Sequence, residues 1–517
     1  MKQNKILLIA AITFSLTACT KLEEKLYSET TSGSSGGGGG NPASLLQGAY
    51  RSLEPLFMDQ ARVWAATEHS TDEAVGPTRG GDWDDNGIWR VYHNHRWTSE
   101  HDYLTATFRQ LAQTQFAATT VLDNNPTPQQ AAEAKFIRAF VMWHVLDGWD
   151  QVPFRATSLG DLTQSLPETK KGTEAADFII SELEAAIPNL PSGAGLGQAS
   201  KDAAKALLMK VYLNKGVYAN RAAPTFSAAD MNKVIQYADE ILAGPYNLGT
   251  NFFDNFAPNN TVIGTELIYT LKADNGAGIG GNGAMFYDFS GLHYNMNPSG
   301  WNGFTTLGDF YDKFDATDKR RGGAYTGVTN VTGLRVGMLF GQQYDQNGTP
   351  LLDRKGNPLS FTKEVALKET GNNLEVTGIR VMKYPPDLVH QFPWDNDLVV
   401  FRLADVLLMK AEAIARGGTG TNVAPYGNTA ASIVNYIRTH PTRGVSALGT
   451  VDLNAIYDER GRELYWEFWR RNDMIRFGKF LAARTLKPEV SGEERLLFPI
   501  PNEQLVINPN LTQNPGY

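Results

Sequence analysis

Two stretches of the sequence place aromatic rings among asparagine, aspartate, arginine and glycine residues. Residues 82–97 hold three tryptophans, and residues 286–304 hold two tyrosines and a tryptophan. An aromatic face can stack on the apolar C–H face of a sugar ring, while planar amide, carboxylate and guanidinium groups bond its hydroxyls. The two stretches therefore predict a carbohydrate-binding surface, with loop anchoring by buried rings as the alternative. The candidate binding residues are Trp83, Trp89, Trp97, Tyr287, Tyr294, Trp301, Arg79 and Asp72.

The first of these stretches also opens like a calcium-binding loop. Asp82, Asp84 and Asn86 alternate as potential oxygen ligands before Gly87. The closing position, which needs a bidentate glutamate, is occupied by His93 instead. This mismatch argues against a calcium loop, so we predict no cofactor and leave a structural calcium ion as the alternative.

Motifs for zinc binding or catalysis are weak. His93, His95 and His101 could ligate zinc, but no HExxH-type pairing accompanies them, and we interpret them as polar loop histidines. The chain contains no GxSxG elbow and no Walker-type phosphate loop. Carboxylates are abundant, and the separation that a glycosidase requires is spatial. The sequence therefore predicts a protein without catalytic residues, and a surface glycosidase remains an alternative.

Charged residues are dense near the carboxyl end of the chain. Residues 463–476 contain Glu467 and Arg471 at the i, i+4 spacing that allows an ion pair on a helix. We interpret this segment as one salt-bridged helix with a structural role.

The only cysteine, Cys19, lies at the end of a Leu-Thr-Ala-Cys sequence that follows a basic start and the apolar residues 6–16. This arrangement resembles the lipobox of bacterial lipoproteins, whose cysteine is acylated after cleavage. The apolar run is shorter than the about 20 residues that a membrane-spanning helix needs. We predict a signal peptide over residues 1–18, an acylated Cys19 and a flexible Gly/Ser-rich tether over residues 19–41.

The composition favours a folded, acidic protein. The 47 lysines and arginines and the 55 aspartates and glutamates give a net charge of −8, and no basic stripe interrupts this balance. Such a surface repels phosphate backbones, which argues against nucleic acid as a partner. With a single cysteine, no intramolecular disulfide can form, so burial of apolar side chains must stabilise the fold.

Apolar residues recur at helical spacing over most of residues 42–517, which we predict to form a single body. Close spacing of small and apolar residues is typical of helix pairs that stack into a superhelix. A loop-rich insertion at about 245–397 interrupts the pattern, with strands predicted at 266–272 and 376–384 and a hairpin at 351–361. The predicted helices are 128–146, 174–187, 201–212, 228–242, 401–415 and 430–437.

Several segments in the same order resemble the SusD/RagB family of outer-membrane nutrient-binding lipoproteins of Bacteroidetes. The most specific one reads RELYWEFWRRNDMIRFGK and is similar to the family's R-EL…E…R…D-(L/M)-IR-x-GK signature. Several blocks in order are much stronger than any single motif. The similar segments are residues 132–139 followed by Val152 and Pro153, 201–213, 401–413, 462–479, 498–501 and 513–517.

The resemblance implies a mainly α fold, with a tetratricopeptide-like helix-pair superhelical scaffold and an irregular insertion. It also implies a location in the outer membrane, where a lipid anchor holds the protein on the cell surface. The implied function is to capture oligosaccharide or polysaccharide and deliver it to a SusC-like TonB-dependent transporter. Because some relatives serve peptide uptake, a peptide-binding or protein-binding nutrient-uptake lipoprotein is an alternative on the same scaffold.

Overall fold

Residues 40–160, 165–273, 286–390 and 394–517 are described by a computed structural model of the chain. The predicted signal peptide, Cys19 and nearly all of the predicted tether lie outside these ranges and stay predictions. Asn41–Tyr517 forms one compact unit. No helix within the described ranges is both long enough and apolar enough to cross a membrane.

Polar caps begin several of the long helices. Thr127 forms a capping box with Gln130, and the helix that follows starts with a proline. Ser200 and Ser227 each accept a bond from a backbone N–H in the first turn of the next helix. Each cap satisfies an amide that a helix start would otherwise leave without a partner. The helix starts predicted at residues 128, 201 and 228 are confirmed.

The helices form an array in which most long helices pack against the next one along the chain. In chain order they are α1 (Pro42–Arg51), α2 (Glu54–Phe57), α3 (Val63–Glu68), α4 (Ile88–His93), α5 (Asp102–Leu122), α6 (Pro128–Trp149), α7 (Gly172–Ala186), α8 (Lys201–Ala219), α9 (Ala228–Leu242), α10 (Asn260–Ile263), α11 (Phe286–Gly291), α12 (Gly308–Tyr311), α13 (Thr329–Thr332), α14 (Leu403–Ala415), α15 (Ala430–Thr439), α16 (Leu453–Leu464), α17 (Arg470–Arg476) and α18 (Asn502–Ile507). Short 3-10 helices are Asp85–Gly87, Ile187–Asn189, Phe252–Phe256, Lys319–Arg321 and Glu493–Leu496.

Packing runs through α5, α6, α7, α8 and α9, and then continues from α9 to α14 and α15. Helix α6 is buried on almost every face from Ala132 onward, because it lies between α5 and α7 and also contacts α8. The predicted mainly helical scaffold of stacked helix pairs is therefore confirmed. The insertion enters this array between α9 and α14.

Most of the short strands among the described residues lie in the insertion, with irregular loops between them, and the others lie outside it. In chain order the strands are β1 (Thr78–Arg79), β2 (Gln151–Phe154), β3 (Glu168–Lys171), β4 (Gly195–Leu196), β5 (Leu267–Leu271), β6 (Gly322–Gly323), β7 (Val336–Leu339), β8 (Gly341–Gln342), β9 (Ser360–Phe361), β10 (Lys368–Glu369), β11 (Arg380–Met382) and β12 (Leu398–Arg402). Sheets have the orders β4-β5-β12, β6-β7-β11, β2-β3, β1-β10 and β8-β9.

The predicted strand at 266–272 is confirmed as β5, which pairs antiparallel with β12. The predicted hairpin is confirmed by the bridge between Leu352 and Pro358, with Gly356 at φ 84° in its turn. The strand predicted at 376–384 is shorter, because only Arg380–Met382 pair with β7.

A network of buried charges joins the insertion to the carboxyl-terminal helices. Glu463 accepts bonds from Arg402 at 2.7 Å, from Arg320 at 2.8 Å and from Arg443. Glu266 bonds the same Arg402 and Arg443, at 3.0 and 2.8 Å. Burial alone would raise the pKa of Glu463, but attraction to the three arginines holds it well below its usual range.

The prediction of one charged helix over residues 463–476 is wrong. Two helices, α16 and α17, are separated by a break in which Trp466 and Phe468 have φ values of 61° and 58°. Glu467 lies in this break and pairs with Arg402 at 2.8 Å instead of forming the predicted pair with Arg471. Glu467 thus has a structural role, but it acts within the buried network of charges and not on the surface of a helix.

Three carboxyl groups, those of Glu68, Asp72 and Glu73, compete for one arginine. Arg470 donates to both oxygens of Asp72, at 2.7 and 2.9 Å, and its Nε lies 3.3 Å from Glu73 Oε1. Burial raises the pKa of Glu73 to about 8, against the attraction of Arg470. Burial and the nearby Glu73 also raise the pKa of Glu68 well above its usual range. A single cation cannot offset the cost of ionising all three groups.

We expect this cluster to make the protein less stable as the pH rises from about 4.5 to about 8. The folded-state pKa of Glu73 is raised, so its stabilising contribution is complete below its unfolded pKa and is lost as the pH passes about 8. Glu68 has a raised folded-state pKa as well, and Glu68→Gln removes its titration. The fall in melting temperature between pH 5.5 and pH 8.5 should therefore be about 2–4 °C smaller in Glu68→Gln than in the parent protein. Melting curves at pH 5.5 and 8.5 measure this difference. An unchanged pH dependence in Glu68→Gln, matching that of the surface control Glu503→Gln, would contradict it.

Candidate functional site

Three of the predicted binding residues lie together and remain partly exposed: Trp83, Tyr294 and Trp301, which we call the aromatic platform. The ring centroids of Trp83 and Trp301 are 6.4 Å apart with the planes tilted by 41°. Trp83 Nε1 donates to the backbone oxygen of Trp301 at 2.9 Å. Tyr294 Oη donates to Asp82 Oδ2 at 3.1 Å, which joins the two chain segments a second time.

The backbone around Trp83 is held in an uncommon conformation. Trp83, Asp85 and Asn86 have φ values of 58°, 38° and 53°, in the left-handed region that residues other than glycine seldom adopt. Such residues persist only where their surroundings fix them, and they concentrate at functional sites. Here the conformation turns the Trp83 ring onto Gly303 and onto Phe304, whose ring centroid is 4.9 Å away.

Arg79 supports the platform from beneath and offers no group to a ligand. It is buried, and its guanidinium donates to the backbone oxygens of Gly303, Leu374 and Thr377 at 3.3, 2.8 and 2.9 Å. Burial lowers the pKa of Arg79 to about 10, so the group is still cationic at neutral pH. In this structure Arg79 therefore has a positioning role instead of the predicted binding role, because it holds together two loops, one at Gly303 and one at residues 374–377.

A charged rim lies beside the platform, and sequence reasoning missed two of its members. The Arg354 guanidinium sits 3.9 Å from the centroid of the Tyr294 ring and donates through Nε to Glu375 Oε1 at 2.6 Å. Its Nη2 lies 3.9 Å from Asp82 Oδ2. Burial would raise the pKa of Glu375, but bonds from the backbone and side chain of Arg354 and from His293 lower it. The only available signal was the predicted hairpin turn that presents Arg354.

The other predicted aromatic residues are packing residues in this structure. Trp89 is 2% exposed, Trp97 is 1% exposed and Tyr287 is 0% exposed. Trp89 lies under the platform, 5.7 Å from the Trp83 ring, and bonds Asp85 at 2.7 Å. Trp97 donates to the Tyr517 hydroxyl at 2.6 Å, and Tyr287 stacks on Trp64 at 4.8 Å. A buried ring cannot offer its face to a sugar, so these three stay with the loop-anchoring alternative.

Asp72 is also committed to the protein, since both of its oxygens accept bonds from Arg470. Attraction to Arg470 lowers the pKa of Asp72, although burial acts in the opposite direction. The predicted role of Asp72 in binding therefore has no support from its contacts.

The three histidines predicted as polar loop residues are buried, and each is bonded separately. His93 Nε2 lies 2.9 Å from the Thr485 oxygen, His95 Nε2 lies 2.9 Å from the Ser70 oxygen, and His101 Nε2 lies 3.2 Å from the Ile88 oxygen. Burial lowers the pKa of His93 to about 3 and that of His101 to about 4. They are neutral, buried hydrogen-bonding residues, and His93 lies at the end of α4 instead of in a loop.

Within the described ranges, one group of side chains converges as metal ligands could. Asp387, His390 and Asp395 bring one ligand atom each to within 4.8 Å of one another. His390 Nδ1 lies 3.0 Å from Asp387 Oδ2 and 2.9 Å from Asp395 Oδ2. Bonding to Asp387 raises the pKa of His390. The two carboxylates favour the protonated form of His390, and such an ion pair has this geometry without a metal ion.

Comparisons with known proteins agree with this architecture. The SusD family model matches residues 265–491. The starch-binding protein SusD of Bacteroides thetaiotaomicron is 26% identical over 441 residues, covering 76% of this chain and 73% of that protein.

Solved structures share the fold across nearly the whole chain. A SusD superfamily protein from Parabacteroides distasonis has a TM-score of 0.69 at 21% identity and covers 92% of this chain and 98% of its own. Surface glycan-binding protein A from Bacteroides thetaiotaomicron, solved in complex with laminarihexaose, has a TM-score of 0.65 at 16% identity and covers 92% and 98%. The chain thus matches the SusD family model over residues 265–491, is similar in sequence to the starch-binding protein SusD, and shares its fold with SusD superfamily proteins.

Proposed function

We propose that this chain is a cell-surface glycan-binding lipoprotein that captures oligosaccharide on the aromatic platform and delivers it to a SusC-like TonB-dependent transporter of the outer membrane. The observation that carries the proposal is the platform itself. Trp83, Tyr294 and Trp301 come from two distant segments and present partly exposed rings next to Asp82 and Arg354. Rings of this kind stack on sugar C–H faces, and the rim supplies donors and acceptors for hydroxyls.

Similar proteins support the same ligand class. The relative from Bacteroides thetaiotaomicron is named as starch-binding, and the similar surface glycan-binding protein A was solved with laminarihexaose. The ligand of this chain is set by its own loops, because one fold can carry different sites. The acylated Cys19 and the tether would hold the body on the outer face of the membrane.

Binding without catalysis fits the electrostatics of the rim. A glycosidase needs a general acid whose pKa is raised, so that it carries a proton at working pH. Glu375 has the opposite shift, since bonds from Arg354 and His293 lower its pKa. Glu375 is thus unsuited to act as a general acid, and we propose that the bound glycan is passed on uncut.

A ligand panel tests the proposal. The mature protein is titrated by calorimetry against starch, laminarin and xyloglucan oligosaccharides and against a mixed peptide pool, and each glycan is analysed by chromatography afterwards. We expect binding to at least one glycan, no binding to peptides and unchanged chain lengths. Binding to peptides alone would support the alternative nutrient, and shortened glycans would support a glycosidase.

A substitution at Gly303 tests the platform without removing any of its aromatic residues. A Cβ atom at residue 303 would lie 2.3 Å from Trp83 Cε2, so Gly303→Ala must displace the ring. We expect oligosaccharide affinity to fall about tenfold or more, because stacking depends on the placement of the ring. Calorimetry with the glycan identified in the panel measures the change.

Gly81→Ala is the matched control, because a Cβ atom there meets nothing within 4 Å. Its affinity should equal that of the parent protein. If Gly303→Ala also binds like the parent, the ring of Trp83 does not contact the glycan.

A further inference from the structure

A second pocket in the insertion has a different chemistry from the platform. It is a cavity of about 410 Å³ beside the paired strands β6 and β7, and we call it the basic pocket. The two strands approach closely at Gly322, which has φ 99°. A Cβ atom at this residue would lie 1.9 Å from the Val336 oxygen, so only glycine fits there. Arg321 and Arg335, each next to one of these strands, both line the cavity. A volume in this range suits one or two sugar units.

Among the described residues, neither guanidinium group of the basic pocket has an acidic partner. No described carboxylate lies within 4.0 Å of Arg321 or Arg335, and Arg335 is exposed. Asp318 is the one acid among the described lining residues, and Arg320 donates to both of its oxygens, at 2.9 and 2.7 Å. The pocket is therefore cationic, although the whole chain has a net charge of −8. Unpaired arginines bind planar or tetrahedral oxyanions in forked geometry.

An aromatic wall completes the basic pocket. Phe340 is 46% exposed, and its ring centroid lies 5.4 Å from that of Tyr311. The Arg321 guanidinium is 4.2 Å from the Tyr311 ring and donates to its hydroxyl, so this arginine is held in place. Lys363 is close to the same rings, but Asp312 neutralises it. An exposed ring beside two arginines offers stacking and anion binding at one site.

The aromatic platform has no such excess of positive charge. Its Arg354 is paired with Glu375 and lies near Asp82. Glu375 offsets the charge of Arg354, and Asp82 adds a negative charge beside it, so the platform suits neutral sugar units. The platform therefore does not account for recognition of an anion.

We propose that the basic pocket binds a sugar unit that carries an anionic group, either a carboxylate or a sulfate ester, through Arg321 and Arg335. The inference rests on the proposed function only in that the ligand is a glycan. It assigns this chain to acidic polysaccharides, with neutral units on the platform and an anionic unit in the basic pocket.

The test compares charged glycans with neutral counterparts on the full mature protein. One pair is oligogalacturonate and its methyl ester, and the other is a κ-carrageenan oligosaccharide and its desulfated form. We expect at least one anionic member to bind about tenfold more tightly than its neutral partner, and the pair that shows this identifies the anion. The preference should disappear in Arg335→Gln and weaken in Arg321→Gln.

Arg96→Gln is the charge-matched control, because Arg96 is exposed and pairs only with the exposed Glu489 among described residues. It should keep the full preference. The proposal is overturned if neither anionic probe is preferred, if both arginine variants keep the preference, or if Arg96→Gln loses it equally. If a neutral glycan still binds in these cases and Trp301→Ala weakens that binding, the proposed function stands and only the proposal for the basic pocket is rejected.

Discussion

Replacing Glu463 with glutamine is expected to lower the free energy of unfolding by about 3–5 kcal/mol, the usual cost of removing one partner of a buried ion pair. Glu463 is fully buried and accepts bonds from Arg320, Arg402 and Arg443. A glutamine would turn an N–H₂ group toward at least one guanidinium and would leave positive charge without compensation in a site away from water.

The measurement is urea unfolding followed by tryptophan fluorescence and circular dichroism. Glu489→Gln is the control, because Glu489 is an exposed residue that pairs with the exposed Arg96 and should change stability by less than about 1 kcal/mol. A Glu463→Gln protein that unfolds within about 1 kcal/mol of the parent would show that the network contributes little. The loss should extend to the insertion, because Arg402 and Arg443 also bond Glu266.

Replacing Trp301 with alanine is expected to weaken glycan binding about 30-fold, or about 2 kcal/mol, as for a central aromatic contact. The Trp301 ring is partly exposed, and the residue contributes its backbone oxygen, not its side chain, to the bond from Trp83. The variant therefore removes one stacking face and leaves the rest of the platform in place. Calorimetry with the glycan identified in the panel gives the affinity.

The control for this prediction is Trp97→Phe, which changes a ring that is buried against Phe498. This variant should lose stability through its missing bond to Tyr517 and should keep the parent affinity. Equal affinities of Trp301→Ala and the parent protein would place the glycan elsewhere. Equal losses in both variants would mean that stability, and not contact, determines the result.

The helical scaffold could be predicted because its signals are local. Thr127 and Gln130 cap a helix with apolar residues at helical spacing, and Ser200 and Ser227 mark the next two starts. Local signals also misled at residues 463–476, where the charge spacing fits a continuous helix. The break at Trp466 and Phe468 is fixed by distant partners, since Trp466 N–H bonds Glu73 and Glu467 pairs with Arg402.

The candidate site could be predicted only in part. Sequence composition indicated the two aromatic stretches, and the structure brings Trp83, Tyr294 and Trp301 together from them. It could not separate these rings from Trp89 and Trp97, because the burial of those two depends on partners distant in sequence: Trp89 packs on Phe304 and Trp97 bonds Tyr517. Arg354 was missed because no pattern in the sequence places a hairpin turn over a distant tyrosine.

The indole N–H of Trp83 is already used, since it donates to the Trp301 oxygen. This ring can therefore contact a ligand only through its π-face. Stacking on this face depends on the shape of the pyranose and does not distinguish between its hydroxyl groups. Stereochemical discrimination between epimers, such as gluco and galacto configurations, would fall to the polar atoms of Asp82 and Arg354. Substituting those two side chains, with the indole unchanged, is thus the smallest change by which related chains could alter their glycan specificity.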